Sequence, residues 1–218
     1  CLPDSNYYLS HPFNNGFQGW SVGAFYSINN SWLLNDQTLN IIESTSLNGL
    51  ELNFGSAYGL AAAYNFNTHL TGEFNWAVNS KQGQTSHFYT EGRYQTNTIK
   101  LNYTVFNLSL KHRKEGRSKY FNAPKSFNFI AGINVGVLKY GTDAIESSQI
   151  KSQYSNTDYG LRIGYEYEIL AFKKIVFSSA ILGNIGFNNI YKESVYKPTN
   201  YKVSHNGLFG FQLGIKYI

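Results

Sequence analysis

The chain has 218 residues, of which 42% are hydrophobic, 17% aromatic and 14% charged, with a single Cys and a formal net charge of +5. The length fits one domain, the absence of any run of about 18 apolar residues excludes a transmembrane helix, and a lone Cys excludes an internal disulfide or a Cys-based metal cluster. The charge gives no argument for nucleic acid, because the basic residues are not interleaved with a stacking platform distinct from the strand pattern.

Mean hydropathy is slightly negative, but an average hides the membrane signal of a barrel whose lipid-facing and lumen-facing residues alternate. Seven or eight stretches place apolar residues at every second position for ten or more residues. That period assigns them to strands, and their length exceeds the roughly 5 to 6 residues usual in soluble proteins.

The chain contains no Met and starts at its only Cys. Cleavage immediately ahead of a Cys is what bacterial lipoprotein processing leaves, so Cys1 is read as the attachment point of a diacylglycerol or acyl lipid. The alternative is a chain boundary that happens to fall at a Cys, and Leu2, Pro3, Asp4 and Ser5 do not decide between the two. Residues 1–16 are polar, contain Pro3 and Pro12, and read as a periplasmic tail; residues 17–218 read as the barrel.

The first strand is expected over 17–27, with Trp20, Val22, Ala24 and Tyr26 on one face. The second, 50–66, sets Leu50, Leu52, Phe54, Tyr58, Leu60, Tyr64 and Phe66 against Glu51, Asn53 and small residues. A tight turn at Asn67 to His69 leads to the third, where Leu70, Phe74, Trp76 and Val78 oppose Thr71, Glu73 and Asn75. The fourth is placed at 97–113, with Ile99, Leu101, Tyr103 and Val105 outward and Lys100, Asn102 and Thr104 inward. Phe106, Leu108 and Leu110 then follow the opposite phase, which predicts a bulge near Phe106 or Asn107.

The fifth strand, 126–140, alternates Phe127, Phe129, Ile133, Val135 and Val137 with Asn128, Gly132, Asn134 and Gly136. The sixth sets Tyr159, Leu161, Ile163, Tyr165, Tyr167 and Ile169 against Gly160, Arg162, Gly164, Glu166 and Glu168. The seventh, 175–187, and the eighth, ending in Phe209, Phe211, Leu213, Ile215 and Tyr217, complete the set. All four Pro are expected outside the strands. Eight strands with alternating short turns and long loops predict a closed, up-and-down antiparallel transmembrane barrel. Both termini then lie in the periplasm, and the segments 28–48, 80–96, 141–156 and 188–204 are external loops.

Leu101 to Lys111, where Tyr103 and Lys111 match a strand signature and Asn107 stands at its Pro, together with Phe127 to Val137 and Gly210 to Tyr217, resembles the small outer-membrane β-barrel family of Bacteroidota. That family is akin to OmpA-like and OmpX-like eight-stranded barrels. The resemblance spans about residues 17–218 and implies a fold and a membrane, with outer-membrane lipid around the chain, but no reaction.

A barrel of eight strands is only wide enough to be filled by side chains, and buried charges must be paired. Glu51, Glu73, Glu166 and Glu168 with Lys100, Arg162 and Lys216 are therefore expected to form a plugging lumen network, a proton or ion path being the alternative. Lys111, Arg113, Lys114, Arg117, Lys119, Lys173 and Lys174 are expected as a basic periplasmic rim, solvated or touching headgroups, or docking an acidic partner.

An enzymatic alternative is lipid A deacylation through a His and Ser on one strand face. Here Ser204 and His205 are adjacent and point to opposite faces, and His87 beside Ser86 has no acid in register. External Tyr191, Tyr196, Tyr201, Asn200 and Asn206 suit a protein interface. The expected role, by elimination of site and pore, is a non-enzymatic accessory subunit in a hetero-complex of outer-membrane proteins serving barrel assembly, secretion or nutrient uptake. The rivals are a deacylase and a free-standing adhesin or stability barrel; no catalytic residue, metal or further cofactor is expected.

Overall fold

The computed structural model describes residues 19–34, 50–51, 53–67, 69–90, 93–118, 123–143, 150–172, 174–192 and 203–218. Cys1 and the tail around it, Lys119 and Lys173 lie outside these residues, as do Tyr196, Asn200 and Tyr201. Among the described residues nine strands run β1 (Gly19–Leu34), β2 (Leu50–Glu51), β3 (Phe54–Asn65), β4 (Leu70–Thr90), β5 (Arg93–Arg117), β6 (Pro124–Asp143), β7 (Thr157–Phe172), β8 (Ile175–Gly186) and β9 (His205–Tyr217).

All pair antiparallel with a neighbour; β1 pairs with β9 and β4 with β5, so the sheet closes on itself. The two-residue β2 lies beside β4 beyond the end of β3 and continues the same stave, so the cylinder has eight staves. Asn53 bridges the break: its N–H donates to the Asn30 side-chain oxygen at 2.9 Å and its carbonyl accepts from the Ser31 N–H at 3.2 Å.

Alternation dictates the two surfaces. On β7, Tyr159, Leu161, Ile163 and Tyr165 point out and are exposed, while Asp158, Arg162, Glu166 and Glu168 point in and are buried. The same division holds on β9, with Phe209, Phe211, Leu213, Ile215 and Tyr217 outside and Gln212 and Lys216 inside. A continuous exposed belt of large apolar side chains around the cylinder, far larger than a soluble monomer carries, is a surface suited to hydrocarbon.

Aromatic rings mark one margin of the belt, at the end holding Gly19, Tyr217 and the short turns. Trp20 lies 5.1 Å from Tyr64, and Phe127 lies 5.0 Å from Tyr167. Rings with one wet and one apolar side favour that boundary.

Several expectations are corrected. From Leu101 to Arg113 the odd positions of β5 face inward, so Leu101 and Tyr103, each 1% exposed, join Asn107, Ser109, Lys111 and Arg113 inside, and no phase change occurs at Phe106. The irregularities fall on the neighbours instead: Ala77 opposes Val105 but Ser80 opposes Tyr103, and Asn102 opposes Tyr140 but Tyr103 opposes Leu138. Extra residues on β4 and β6 therefore bend those strands around a regular β5.

The expected loop at 80–96 is mostly strand, since β4 runs to Thr90 and β5 begins at Arg93. Pro124 opens β6 opposite Arg117, a first-residue position that asks nothing of its missing N–H. Within the extended arm Gly83 has φ +146°, and a Cβ there would stand 1.9 Å from the Ile99 carbonyl oxygen, so glycine is required.

If the belt lies in hydrocarbon, Ile163→Lys at mid-height of β7 lowers the unfolding free energy in bilayers by about 2–4 kcal/mol, whereas Ala171→Lys near the turns costs about 0–1 kcal/mol. Equal costs in a guanidine titration of the reconstituted protein would count against that reading.

Candidate functional site

The lumen is where the chain concentrates its charge. In the half nearer the short turns, Lys111 from β5 and Lys216 from β9 reach to the middle. The Lys216 ammonium donates to Glu166 at 2.7 Å, Glu168 at 2.8 Å and Glu73 at 3.1 Å. The Lys111 ammonium donates to Glu166 at 2.6 Å and pairs with Glu73. Arg113 stands 3.9 Å from Glu168 and donates to the Asn65 side-chain oxygen at 3.2 Å.

Neutral donors complete the carboxylates. Asn128 donates to Glu168 at 2.8 Å, Ser126 to Glu168 at 2.9 Å, and Asn75 to Glu73 at 2.9 Å. Three carboxylates and three cations, drawn from β4, β5, β7 and β9, thus share one buried cluster. Desolvating six ions is costly, and only this density of mutual bonds offsets it.

Above the cluster, the Arg162 guanidinium donates to the Gln212 side-chain oxygen at 3.4 Å. Arg162 also borders a chamber of about 60 Å³ lined by Asn107, Asn134, Asn184 and Asp158. The Oδ1 atoms of Asn107, Asn184 and Asp158 and the Arg162 Nε have no partner among the described residues. The volume suits a few water molecules, and those atoms are the partners such waters need.

The far end is closed by apolar packing. Leu33, Leu101, Tyr103, Leu138, Ile150, Tyr154 and Ile190 form one buried cluster, and the Tyr154 ring lies 4.9 Å from Tyr191. Beneath it the Asn206 amide donates to Asp158 at 2.7 Å and to the Tyr103 hydroxyl at 3.3 Å. Ions at one end and hydrocarbon at the other leave no open path through the described lumen.

Of the residues expected in the lumen network, Glu73, Glu166, Glu168 and Lys216 meet in the cluster, and Arg162 sits one layer away. Lys100 does not: it lies on the outward, exposed face of β5 because its inward neighbour is Leu101. Glu51 forms β2 opposite Thr85, and its side chain is outside the described set.

Two residues assigned to the basic rim are corrected. Lys111 is 1% exposed and Arg113 5%, both inside the barrel, because β5 extends to Arg117 and carries that whole run within a stave rather than a turn. Lys114 and Lys174 are exposed near the short turns, the latter with its ammonium 5.5 Å from the Tyr217 ring centre; Arg117 pairs in register with Pro124, its side chain outside the described set. Asn206, expected in an external loop, is instead buried beside Asp158. The sequence signal missed was parity: Lys111 and Arg113 share the odd phase of Ser109 and Asn107.

Ser204 is fully buried and its N–H donates to Asn189 at 3.1 Å, while the His205 ring nitrogen Nδ1 stands 3.1 Å from the Asn188 carbonyl oxygen. No hydrogen bond joins Ser204 to His205 among the described contacts.

No family model and no curated protein matches the chain. Solved structures do. Neisserial surface protein A is 12% identical with a TM-score of 0.50, over 91% of this chain and 96% of that one. The outer membrane protein OprG from Pseudomonas aeruginosa is 13% identical with a TM-score of 0.45, over 91% and 94%. The attachment invasion locus protein Ail of Yersinia pestis is 11% identical with a TM-score of 0.44, over 92% and 100%. The likeness to the first is one of fold: the chain has the architecture of a small eight-stranded outer-membrane barrel.

Removing one lumen cation leaves a buried carboxylate cluster short of charge, so Lys216→Met lowers unfolding free energy by about 3–5 kcal/mol. Outward Lys100→Met changes it by no more than about 0.5 kcal/mol. Denaturant titration of both variants checks the assignment, and comparable losses would refute it.

Proposed function

We propose that the chain is a non-enzymatic barrel of a bacterial outer membrane that acts through its wall and loops as a structural or accessory subunit of a larger outer-membrane complex. The observation that carries this reading is the doubly closed lumen: ion pairs fill one half and the Leu33, Leu101 and Leu138 cluster fills the other. A barrel with no route through its interior offers partners only its exterior. Its exposed apolar belt suits lipid, and the short turns beside Gly19 and Tyr217 suit a periplasmic end, with the longer connections outside.

Cys1 is proposed as the site of lipid attachment. A barrel already held by its apolar belt gains little retention from a second anchor, so the lipid's use is targeting or contact with a neighbouring subunit. The lack of a Ser204 to His205 hydrogen bond and the burial of Ser204 favour this reading over lipid A deacylation.

Purification from native membranes in mild detergent, followed by mass spectrometry, is expected to recover defined outer-membrane partners with the barrel, and acyl mass on Cys1 that Cys1→Ser abolishes. Recovery of the barrel alone favours the free-standing alternative. Cells lacking the protein are expected to keep an unchanged lipid A acyl pattern, and the pure protein to give no conductance steps in planar bilayers; a changed pattern would establish the enzyme instead.

A further inference from the structure

Charge on this barrel is sorted by face. Glu73, Asp158, Glu166 and Glu168 all point inward and are buried. Among the charged residues whose side chains are described, the exposed ones are lysines: Lys81, Lys100, Lys114, Lys139 and Lys174. Two of these, Lys114 and Lys174, lie toward the short turns.

The other three gather on one patch of outer wall at the opposite end. Lys81 on β4 is paired in register with Asn102 on β5, Lys100 is two residues along the same outward face of β5, and Asn102 is in turn paired with Tyr140 on β6. Lys139 is the extra residue between Leu138, which faces the lumen, and Tyr140, which faces out. The β6 irregularity therefore turns Lys139 to the exposed side beside Tyr140. Lys81 and Lys100 are diagonal neighbours on one sheet face, about 7–8 Å apart, while Lys139 lies on the next strand beyond Tyr140, three residues from the Thr142 that opposes Lys100, and reaches the same small anion through its flexible arm.

The ground between them is polar and fixed. The Asn102 amide donates to the Tyr140 hydroxyl at 2.8 Å and is bonded to the Asn79 side chain, so Asn102 is 2% exposed. Immediately toward the short turns the same faces become apolar, with Trp76, Phe106 and Val137 exposed. On the other side the β4 and β5 arms continue to Thr90 and Arg93. The three ammonium groups thus stand at the margin of the apolar belt, and among the described residues none has an acidic partner.

We propose that Lys81, Lys100 and Lys139 form a binding site for the phosphate of a lipid headgroup, with the acyl chains lying down the Trp76, Phe106 and Val137 wall. The site takes an outer-leaflet phosphorylated glycolipid of the lipid A type. A bare cation cluster beside hydrocarbon attracts an anion that is itself attached to hydrocarbon, and each lysine adds to the attraction. This inference rests on the outer-membrane reading above and adds a ligand to it.

The test uses the full-length folded barrel in detergent, incubated with bis-phosphorylated lipid A and analysed for retained lipid by native mass spectrometry. Wild type is expected to retain one lipid, and K81Q/K100Q/K139Q to bind at least about tenfold more weakly. The control K114Q/K174Q, at the other end, is expected to bind as wild type does. Lipid A stripped of phosphate is expected to be retained no better than by the triple variant, and inorganic phosphate at equal concentration to displace none of the intact lipid.

Wild-type affinity in the folded triple variant, or equal retention of phosphate-free lipid, overturns the proposal. Displacement by equimolar inorganic phosphate reduces it to a free-anion site and overturns it too. Folding of each variant is scored separately by heat-dependent gel mobility, and K100Q alone, expected to lose a few-fold in affinity, serves if the triple variant misfolds. Insertion of the barrel into lipid vesicles is measured alongside: failure there sinks the membrane reading, whereas insertion without selective retention sinks only the lipid site.

Discussion

Everything in this barrel depends on the six-ion cluster of Glu73, Glu166, Glu168, Lys111, Arg113 and Lys216. Eight staves enclose a space that side chains must fill, and staves whose outward positions are apolar have only the lumen in which to place acids such as Glu73, Glu166 and Glu168. Because four staves contribute charges to one cluster, each strand's register is tied to the others. A one-residue slip of β7 would carry Glu166 and Glu168 to the outer wall and Tyr165 and Tyr167 into the lumen. The cluster thus constrains register as well as closing one half of the interior.

Closing by charge at one end and by leucine, isoleucine and tyrosine at the other is a division with a physical reason. The turn-end half is lined from β4, β5, β7 and β9 by long charged side chains that meet at the centre. At the loop end the interior must join the segments that cross over it, and Ile150, Tyr154 and Ile190 come from those connections. Apolar residues seal such a junction without needing matched partners, whereas an ion pair there would require each crossing segment to be placed as accurately as a strand.

Most of the barrel was legible in the sequence because period two survives wherever one face meets lipid and the other meets a polar lumen. The reading failed where that contrast fails. Leu101, Tyr103 and Val105 are apolar and face inward, since the lumen at their height is an apolar seal, and taking them as lipid-facing inverted the phase and sent Lys100 inside. The arms from Gln82 to Thr90 and from Arg93 to Lys100 show no alternation and read as a loop, although they pair in register. Lys111 and Arg113 sat in a dense basic run that composition marks as a turn; only the odd-position parity shared with Asn107 and Ser109 places them inside. Which inward charges meet across the lumen depends on the registers of strands distant in sequence, and no local pattern carries that.

The sorting of acids inward has a consequence for the exterior. Within the six-ion cluster the charges balance, and Arg162 and Asp158 add one of each sign to the lumen, so these eight groups sum to zero. Outside, the exposed charged residues with described side chains are all lysines. A lysine such as Lys216, ringed by three carboxylates, is satisfied by the protein itself. Lys81, Lys100 and Lys139 have no acidic partner among the described residues, and they stand where the wall changes from apolar to polar. In the proposed site their counter-charge comes from the surroundings, and at that height in a membrane the anions available are those of lipid headgroups. The same residue type therefore serves as internal cement at Lys111 and as the proposed lipid contact at Lys100 on one strand, and strand parity decides which of them faces inward.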